Sequence, residues 1–197
     1  MKLLAFSDLH RDEERALALV ERSAEADVVV GAGDFASFRR GLAKTLDPLS
    51  AITTPTVLVC GNNERLPALR EAASAWPAAT VLHGEATEID GVTFFGLGAA
   101  VPRTPFPWSY DITEAEADEL LERCPSDAVL VVHSPPKGYL DVAFGRHLGS
   151  EAVLAAIQAK QPRVALCGHI HQCWGQSAAI DGTSVFNLGP DGTWVEV

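Results

Sequence analysis

VALCGHIH, residues 164–171, is an apolar run that ends in a glycine and two histidines. The run predicts a buried β-strand, because it lacks the polar alternation of a strand with one face in water. His169 and His171 follow at the carboxyl end of this strand, and their spacing suits two neighbouring metal ions. The stretch therefore predicts a strand that carries metal-binding side chains at its end.

The same pattern recurs four times earlier in the chain. Each of these apolar runs ends in Asp, His or Asn, which in chain order are Asp8 with His10, Asp34, Asn62 and His133. Each residue taken singly is explained as a turn residue after a strand, but the ordered set favours one shared site. Ligands of open α/β sheets bind beyond the carboxyl ends of the strands, so strands of one sheet would bring these side chains to one crevice.

Asp, His and Asn side chains are the ligands that a pair of catalytic divalent ions requires. A carboxylate bridges two ions about 3.5–4 Å apart, while neutral imidazoles and an amide oxygen complete the shells. Two divalent ions, two carboxylates and one bridging hydroxide leave a charge of about +1, which attracts a phosphate ester. Because such ions lower the pKa of water toward about 7, they supply a nucleophile at neutral pH.

Alternating strand and helix patterns organise the rest of the chain. Buried runs at 2–7, 27–33 and 56–60 alternate with helical patterns at 12–26, 36–47 and 66–75, which predicts a mainly parallel sheet. The later elements are short strands over 79–97, a loop at 99–111, a helix at 113–123, a strand at 127–133, a helix at 150–160 and strands in 174–197. We expect one domain, residues 1–197.

Composition excludes several classes of partner. The 197 residues are 47% hydrophobic with a net charge of −11, so general binding to nucleic acid or to anionic membranes is not expected. The four cysteines form no CxxC pair, which favours buried free thiols and a reducing cytoplasm. No signal peptide or membrane-spanning run is recognisable, so a cytoplasmic location is expected.

The ordered motifs resemble those of the calcineurin-like metallophosphoesterase superfamily, over nearly the whole chain. Residues 133–141 and 168–171 are similar to its compact single-domain phosphodiesterase branch, and Asn187 resembles an Asn near the family's C-terminus. The resemblance implies an α/β fold, a four-layer α/β/β/α sandwich of two mixed sheets flanked by helices. It implies that one metal is held by Asp8, His10 and His171, the other by Asn62, His133 and His169, and that Asp34 bridges them.

The resemblance implies a phosphoesterase, more specifically a phosphodiesterase, that acts on a small-molecule phosphate ester through a bridging hydroxide. The expected cofactors are two divalent ions, Mn first, with Fe, Zn, Mg or Ni as alternatives. Three other functions stay open: a phosphomonoesterase or protein phosphatase, a nuclease, and a weakly catalytic or non-catalytic interaction module on the same fold. The acidic charge weighs against the nuclease, and the complete ligand set weighs against the module.

Asn63 departs from the family pattern, in which a His at this position contacts the phosphate and helps to protonate the leaving group. An amide donates a hydrogen bond but cannot act as a general acid. We expect Asp34 and Asn63 to be the catalytic positions. Because Asn63 cannot protonate a leaving group, we expect slow hydrolysis of esters that have poor leaving groups. His147 is a candidate substitute acid, although a surface role is favoured, and Glu64 is expected to orient its turn.

The loop at 99–111 is rich in proline and aromatic residues, and loops of this length are often functional. Two roles are open for its side chains: they cover the site and contact an aromatic group of the substrate, or they pack on the sheet edge. The side chains in question are Arg103, Phe106, Trp108 and Tyr110.

Overall fold

A computed structural model describes residues 1–197. The first half alternates strands and helices as predicted: β1 (Lys2–Phe6), α1 (Glu13–Ser23), β2 (Val28–Gly31), α2 (Ala43–Leu49), β3 (Thr56–Leu58), α3 (Leu66–Ala73) and β4 (Ala79–Val81). One boundary was predicted wrongly. Residues 36–42 form a loop instead of the start of α2, because Phe38 and Arg39 take left-handed backbone angles (φ 50° and 61°) that no helix accommodates.

The second half supplies a second sheet and two more helices. Its elements are β5 (Glu85–Ile89), β6 (Val92–Leu97), α4 (Glu114–Leu121), β7 (Val129–Val132), β8 (Val142–Ala143), β9 (Arg146–His147), α5 (Glu151–Lys160), β10 (Val164–Cys167), β11 (Gln176–Ile180), β12 (Thr183–Asn187) and β13 (Thr193–Glu196). The predicted capping box is present, since Thr113 and Glu116 bond each other's backbone at the start of α4. The short hairpin β8–β9 was not predicted.

The strands form two large mixed sheets. The first has the order β13-β1-β2-β3-β4, with β1 to β4 parallel and β13 antiparallel at the edge. The second has the order β11-β12-β10-β7-β6-β5, with a parallel centre and antiparallel edges. Short apolar strands buried on both faces explain the parallel pairing at each centre.

Three apolar layers hold the sheets and helices together. Successive residues of β1 point to opposite faces, so Leu3 packs between the two sheets while Leu4 packs under α1 to α3. In the second sheet Val131 packs between the sheets and Leu130 packs under α4 and α5. The result is the four-layer α/β/β/α sandwich that the family resemblance implied. No helix combines the length and the apolar character needed to span a bilayer.

Candidate metal centre

The predicted ligands converge, although the strands that carry them do not share one sheet. Asp8 and Asp34 follow strands of the first sheet, whereas His133 and His169 follow strands of the second. The expectation from the sequence that these strands belong to one common sheet is therefore wrong. Convergence still occurs because the two facing sheets end at the same edge, where the His169 amide lies 3.1 Å from Asp8 Oδ1 and His133 Nδ1 lies 2.8 Å from Ala32 O.

Asp8, His10 and His171 form the first group. The Nε2 atoms of the two histidines lie 3.0 Å apart, and Asp8 Oδ1 is 4.0 Å from His10 Nε2 and 3.8 Å from His171 Nε2. Asp8 is fully buried, and its other oxygen accepts hydrogen bonds from Ser7 Oγ and Trp174 Nε1. Both oxygens are also 3.1 Å from the His169 amide, so the carboxylate is fixed with Oδ1 facing the imidazoles.

Asp34, His133 and His169 form the second group, with Asn62 beside it. His133 Nε2 lies 3.5 Å from Asp34 Oδ1 and 3.2 Å from Asn62 Oδ1, and the rings of His133 and His169 are 4.9 Å apart between centroids. His133 is completely buried. The four side chains therefore present nitrogen and oxygen atoms to one small volume.

The carboxylate of Asp34 is divided between the two groups. Its Oδ2 lies 3.5 Å from His10 Nε2 in the first group, and its Oδ1 lies 3.5 Å from His133 Nε2 in the second. No other side chain in either group faces both groups with separate oxygen atoms. The structure thus brings all seven predicted ligand residues together, with Asp34 between the two groups.

The donor set fits divalent ions. His133 Nδ1 and His10 Nδ1 lie 2.8 and 3.2 Å from the carbonyl oxygens of Ala32 and Ala36, so each ring keeps Nε2 free for a ligand bond. With Nδ1 as the donor, the Nε2 of His10 carries a lone pair that points at His171 Nε2. A cation in this space would satisfy both nitrogens, which otherwise need to share a proton.

Burial and charge set the protonation of the second group. Burial raises the pKa of Asp34, but the neighbouring histidines, His133 first, outweigh it and hold that pKa below its usual value. Burial would lower the pKa of His133, yet Asp34 and then Asp8 raise it. For His169, burial and then His133 lower the pKa to about 3, so this imidazole is neutral at pH 7, as a metal ligand must be.

Four of the seven residues have a left-handed backbone. The φ angles are 56° at Asp8, 48° at His10, 59° at Asp34 and 69° at His169. Such angles are unfavourable for residues with a Cβ, at a cost of roughly 1–3 kcal/mol each, and persist where the surroundings enforce them.

Asn63 does not point freely into the site. Its Nδ2 donates to Asp34 Oδ2 at 2.6 Å, its backbone amide donates to Asp34 Oδ1 at 2.8 Å, and its Oδ1 accepts from the Phe38 amide at 2.9 Å. The side chain therefore ties Asp34 to the loop that follows it. Its contribution to catalysis, predicted from the sequence, stays a prediction.

Glu64 orients the turn, as predicted. Its buried carboxylate accepts hydrogen bonds from the backbone amides of Gly61, Asp34 and Ala36 at 2.6, 2.9 and 3.0 Å. Burial, and next the nearby Asp34, raises the pKa of Glu64 to about 7. Glu64 thus joins the ends of β2 and β3 and does not face the metal-binding volume.

Two residues that support the site were not singled out from the sequence. Ser109 accepts a hydrogen bond from Asn62 Nδ2 at 2.9 Å and donates one to Asp111. Trp174 bonds Asp8 and also packs on His171, with ring centroids 4.2 Å apart. The loop composition pointed to function near Ser109, but no local signal identified the hydroxyl itself.

Other candidates lie away from the centre. His147 bonds the buried Asp141 at 2.6 Å on the β8–β9 hairpin and does not line the cavity beside the ligands. Arg103 pairs with Glu116, and Tyr110 packs against the core of the sandwich. Asn187 donates to the carbonyl oxygens of Gly168 and Ile170, and so supports the turn that carries His169 and His171.

A cavity of about 510 Å³ opens beside the two groups. Its lining combines polar residues of the centre with the aromatic side chains of Phe38, Phe106 and Trp108. The cavity lies in the size range of small-molecule sites.

A family model settles the relationship of this chain to known proteins. The model of the calcineurin-like phosphoesterase superfamily domain matches residues 1–195. The chain belongs to the calcineurin-like phosphoesterase superfamily. Enzymes of this superfamily are metal-dependent phosphoesterases, which supports a hydrolase and agrees with the two groups of potential metal ligands.

One curated relative is the Caenorhabditis elegans UPF0046 protein K07C11.7. It is 27% identical over 195 residues, an alignment that covers 89% of this phosphoesterase chain and 65% of the relative. The chain thus spans about two thirds of that protein's length.

Solved structures show the same fold. The protein TT1561 of Thermus thermophilus is 18% identical with a TM-score of 0.78, covering 96% of this chain and 90% of that one. The phosphopantetheinyl hydrolase PptH of Mycobacterium tuberculosis is 17% identical with a TM-score of 0.67, covering 95% and 88%. A novel archaeal phosphodiesterase is 18% identical with a TM-score of 0.58, covering 96% and 84%. At these identities the likeness concerns the fold alone.

Proposed function

We propose that this phosphoesterase hydrolyses small phosphate diesters at a centre that holds two divalent ions. The position of Asp34 carries the proposal, because its two oxygen atoms face separate groups of potential ligands, each at 3.5 Å from an imidazole nitrogen. A carboxylate placed in this way can bridge two ions. The name of the archaeal neighbour, a phosphodiesterase, supports the same reaction class.

We assign seven residues to the ions. Asp8, His10 and His171 would hold one ion, and Asn62, His133 and His169 would hold the other, with Asp34 shared. The ligands include nitrogen and oxygen donors without thiolate, a set that Mn, Fe, Zn, Mg or Ni accepts to different degrees, with Mn as our first expectation. When bound, such ions supply Lewis acidity: they lower the pKa of water and neutralise charge on phosphoryl oxygens.

The protein's own residues would orient the reacting groups. Asn63 holds Asp34 in place through two hydrogen bonds, and Glu64 holds the backbone at Asp34 and at Gly61. Neither an amide at position 63 nor any other side chain in the cavity, apart from the histidines assigned to the ions, offers an obvious proton for a leaving group. Esters whose leaving groups depart without protonation should therefore be the better substrates.

The cavity has room for both ester groups of a diester. The space of about 510 Å³ extends past the metal-binding residues to the aromatic side chains, so a second ester group has room.

We place the protein in the cytoplasm, because its four cysteines are free and buried, as a reducing compartment favours.

A second candidate function is a metal-bound interaction module with little catalysis, which the hydrogen bonds of the Asn63 amide to Asp34 and Phe38 favour. Activity measurements separate the two candidates. The chain is stripped with a chelator, reloaded with Mn²⁺, and assayed with bis-p-nitrophenyl phosphate and p-nitrophenyl phosphate. We expect two ions per chain, restored activity, and a higher kcat/KM for the diester.

Asp34→Ala should lose both the second ion and the activity, whereas the exposed Asp47→Asn should behave as wild type. Hydrolysis that persists in the metal-free protein or in Asp34→Ala would refute the two-metal proposal. Two bound ions with no turnover would favour the interaction module, and faster turnover of the monoester would favour a phosphomonoesterase.

A further inference from the structure

Three aromatic side chains from two separate loops meet beside the candidate metal centre. The rings of Phe106 and Trp108 are nearly parallel, at 14°, with centroids 5.3 Å apart, and Phe38 meets Trp108 edge-on at 4.8 Å and 76°. All three line the same cavity as His10, Asp34 and Asn62. We call this set the aromatic wall.

The aromatic wall is exposed, although its rings are large and apolar. Phe38 is 62% exposed and Phe106 is 51% exposed. The two rings contribute little to the three apolar layers of the fold, from which both are absent. Exposed apolar surface beside a polar cleft is typical of a ligand site.

Hydrogen bonds hold the aromatic wall in a fixed relation to the metal-binding residues. The Phe38 amide donates to Asn63 Oδ1 at 2.9 Å, and Asn63 in turn bonds Asp34. The guanidinium of Arg39 donates to the Ser109 carbonyl oxygen at 3.0 Å, which joins the two loops that supply the rings. The backbone of the two loops is therefore already held beside the metal-binding residues, which lowers the entropic cost of ordering them when a ligand binds.

We propose that the aromatic wall is a binding subsite for a planar aromatic group of the substrate, which stacks there while the phosphate lies at the metal centre. The substrate class would then be aryl or nucleoside phosphate esters, an inference that rests on the proposed phosphoesterase function. A ring pair 5.3 Å apart is too close for insertion between the rings, so the ligand stacks on an open ring face. Phe106 and Trp108 stack on each other and so enclose no space for the rounded headgroup of a quaternary amine, which aromatic cages surround, whereas an open ring face suits a flat group.

Two pairs of ligands test the subsite. The members of each pair carry the same phosphonate or phosphate group, but only one member has an aromatic group. Metal-loaded protein is titrated calorimetrically with phenylphosphonate and ethylphosphonate, and with adenosine 5′-monophosphate and ribose 5-phosphate. We expect the aromatic member of at least one pair to bind about tenfold more tightly, the size expected for one stacking contact. The pair with the larger ratio identifies the aromatic group as aryl or nucleoside. Phosphocholine tests the alternative of a cationic group.

Trp108→Ala should reduce the ratio to below about twofold while leaving the affinity for ethylphosphonate unchanged, since only the stacking contact is lost. Trp108→Phe keeps an aromatic face and should retain most of the ratio. Trp194→Phe is the matched control, because Trp194 lies on β13, under the ammonium group of Lys2, and does not line the cavity. Thermal melts establish that the variants are folded.

Equal affinities within both pairs, or a ratio unchanged in Trp108→Ala, would overturn the subsite while leaving metal-dependent hydrolysis intact. Tighter binding of phosphocholine than of both aromatic ligands would overturn it in favour of a cationic group. If the metal-loaded protein binds none of the ligands but hydrolyses bis-p-nitrophenyl phosphate, the subsite fails alone; if it neither binds them nor hydrolyses the diester, the proposed function fails as well.

Discussion

The side-chain amide of Asn62 is held between His133 and Ser109. Its Nδ2 donates to Ser109 Oγ at 2.9 Å, and its Oδ1 lies 3.2 Å from His133 Nε2. Ser109 gives its one hydroxyl proton to the carboxylate of Asp111, which can only accept, so Ser109 must accept from Asn62. This chain of bonds leaves the amide oxygen, the atom that could bind a metal, facing the site.

Ser109→Ala should therefore weaken the binding of one of two metal ions. Without the hydroxyl, Nδ2 loses its partner and the amide is free to rotate, and loss of such supporting bonds typically lowers metal affinity about 10- to 100-fold. Calorimetric titration of the metal-free protein with Mn²⁺ resolves the two sites. Ser177→Ala, on the exposed strand β11, is the control. Unchanged affinity at both sites would show that Asn62 needs no support from Ser109.

Asn63→His should raise the turnover of alkyl diesters more than that of nitrophenyl diesters. A histidine can supply the proton that an alkoxide leaving group needs, and general acids typically contribute about 10²–10⁴-fold, whereas nitrophenolate leaves without help. The substitution also removes the amide that bonds both Asp34 and Phe38, a loss that affects both substrates alike. The ratio of kcat values, measured at equal metal content, is therefore the diagnostic quantity. Asn63→Ala is the control, and equal changes for both substrates in Asn63→His would contradict the prediction.

Glu64→Ala should destabilise the metal-free protein. The substitution leaves three backbone amides without their acceptor, and a buried unsatisfied donor costs about 1–3 kcal/mol. A total of roughly 3 kcal/mol corresponds to a fall in Tm of about 6–12 °C for a chain of this size. Melts followed by circular dichroism in excess chelator measure it. Glu25→Ala, exposed and paired only loosely with Lys2, should melt within about 2 °C of wild type, and an equal Tm for Glu64→Ala would refute the structural role.

Local patterns predicted most of the strands and helices because their physical causes are local. Continuous apolar runs mark strands buried on both faces, and Thr113 with Glu116 marks the start of α4. The pairing of strands into two sheets depends on contacts between distant residues, which the runs themselves do not encode. The resemblance to a known family, not periodicity, supplied that part of the fold.

The ligand residues could be found because each lies in a segment that follows an apolar run, whereas their supporting residues could not. Asp34 is held by hydrogen bonds with Glu64 and Asn63, which are distant in the chain and which no local pattern connects to it. Gly168 is an instructive intermediate case: a Cβ there would lie 2.5 Å from Asp8 Oδ2, so the glycine before His169 is required by a residue from the other sheet. Such requirements become visible only once the two sheets are packed together.

Asp141→Asn should lose less stability than wild type when the pH is lowered, because the substitution removes a buried carboxylate at the β8–β9 hairpin. Asp141 is buried and accepts hydrogen bonds from His147 Nδ1 at 2.6 Å and from the amides of Gly138 and Gly149 at 3.0 Å. Burial would raise the pKa of Asp141, but the bond from His147 and then the two amide bonds together hold it below its usual value.

A carboxyl with a lowered pKa in the folded state stabilises the fold above the pKa of the unfolded chain, about 3.9 for Asp. This contribution declines as the pH falls below that value, because the unfolded chain binds the proton first, and it is gone below the pKa of the folded state. The difference in Tm between wild type and Asp141→Asn should therefore be largest near pH 7 and shrink from about pH 4 downward. Melts in excess chelator from about pH 7 to about pH 2.5 measure the difference, with the exposed Asp118→Asn as the control. A gap that stays constant across this range would mean that the charge of Asp141 does not contribute to stability.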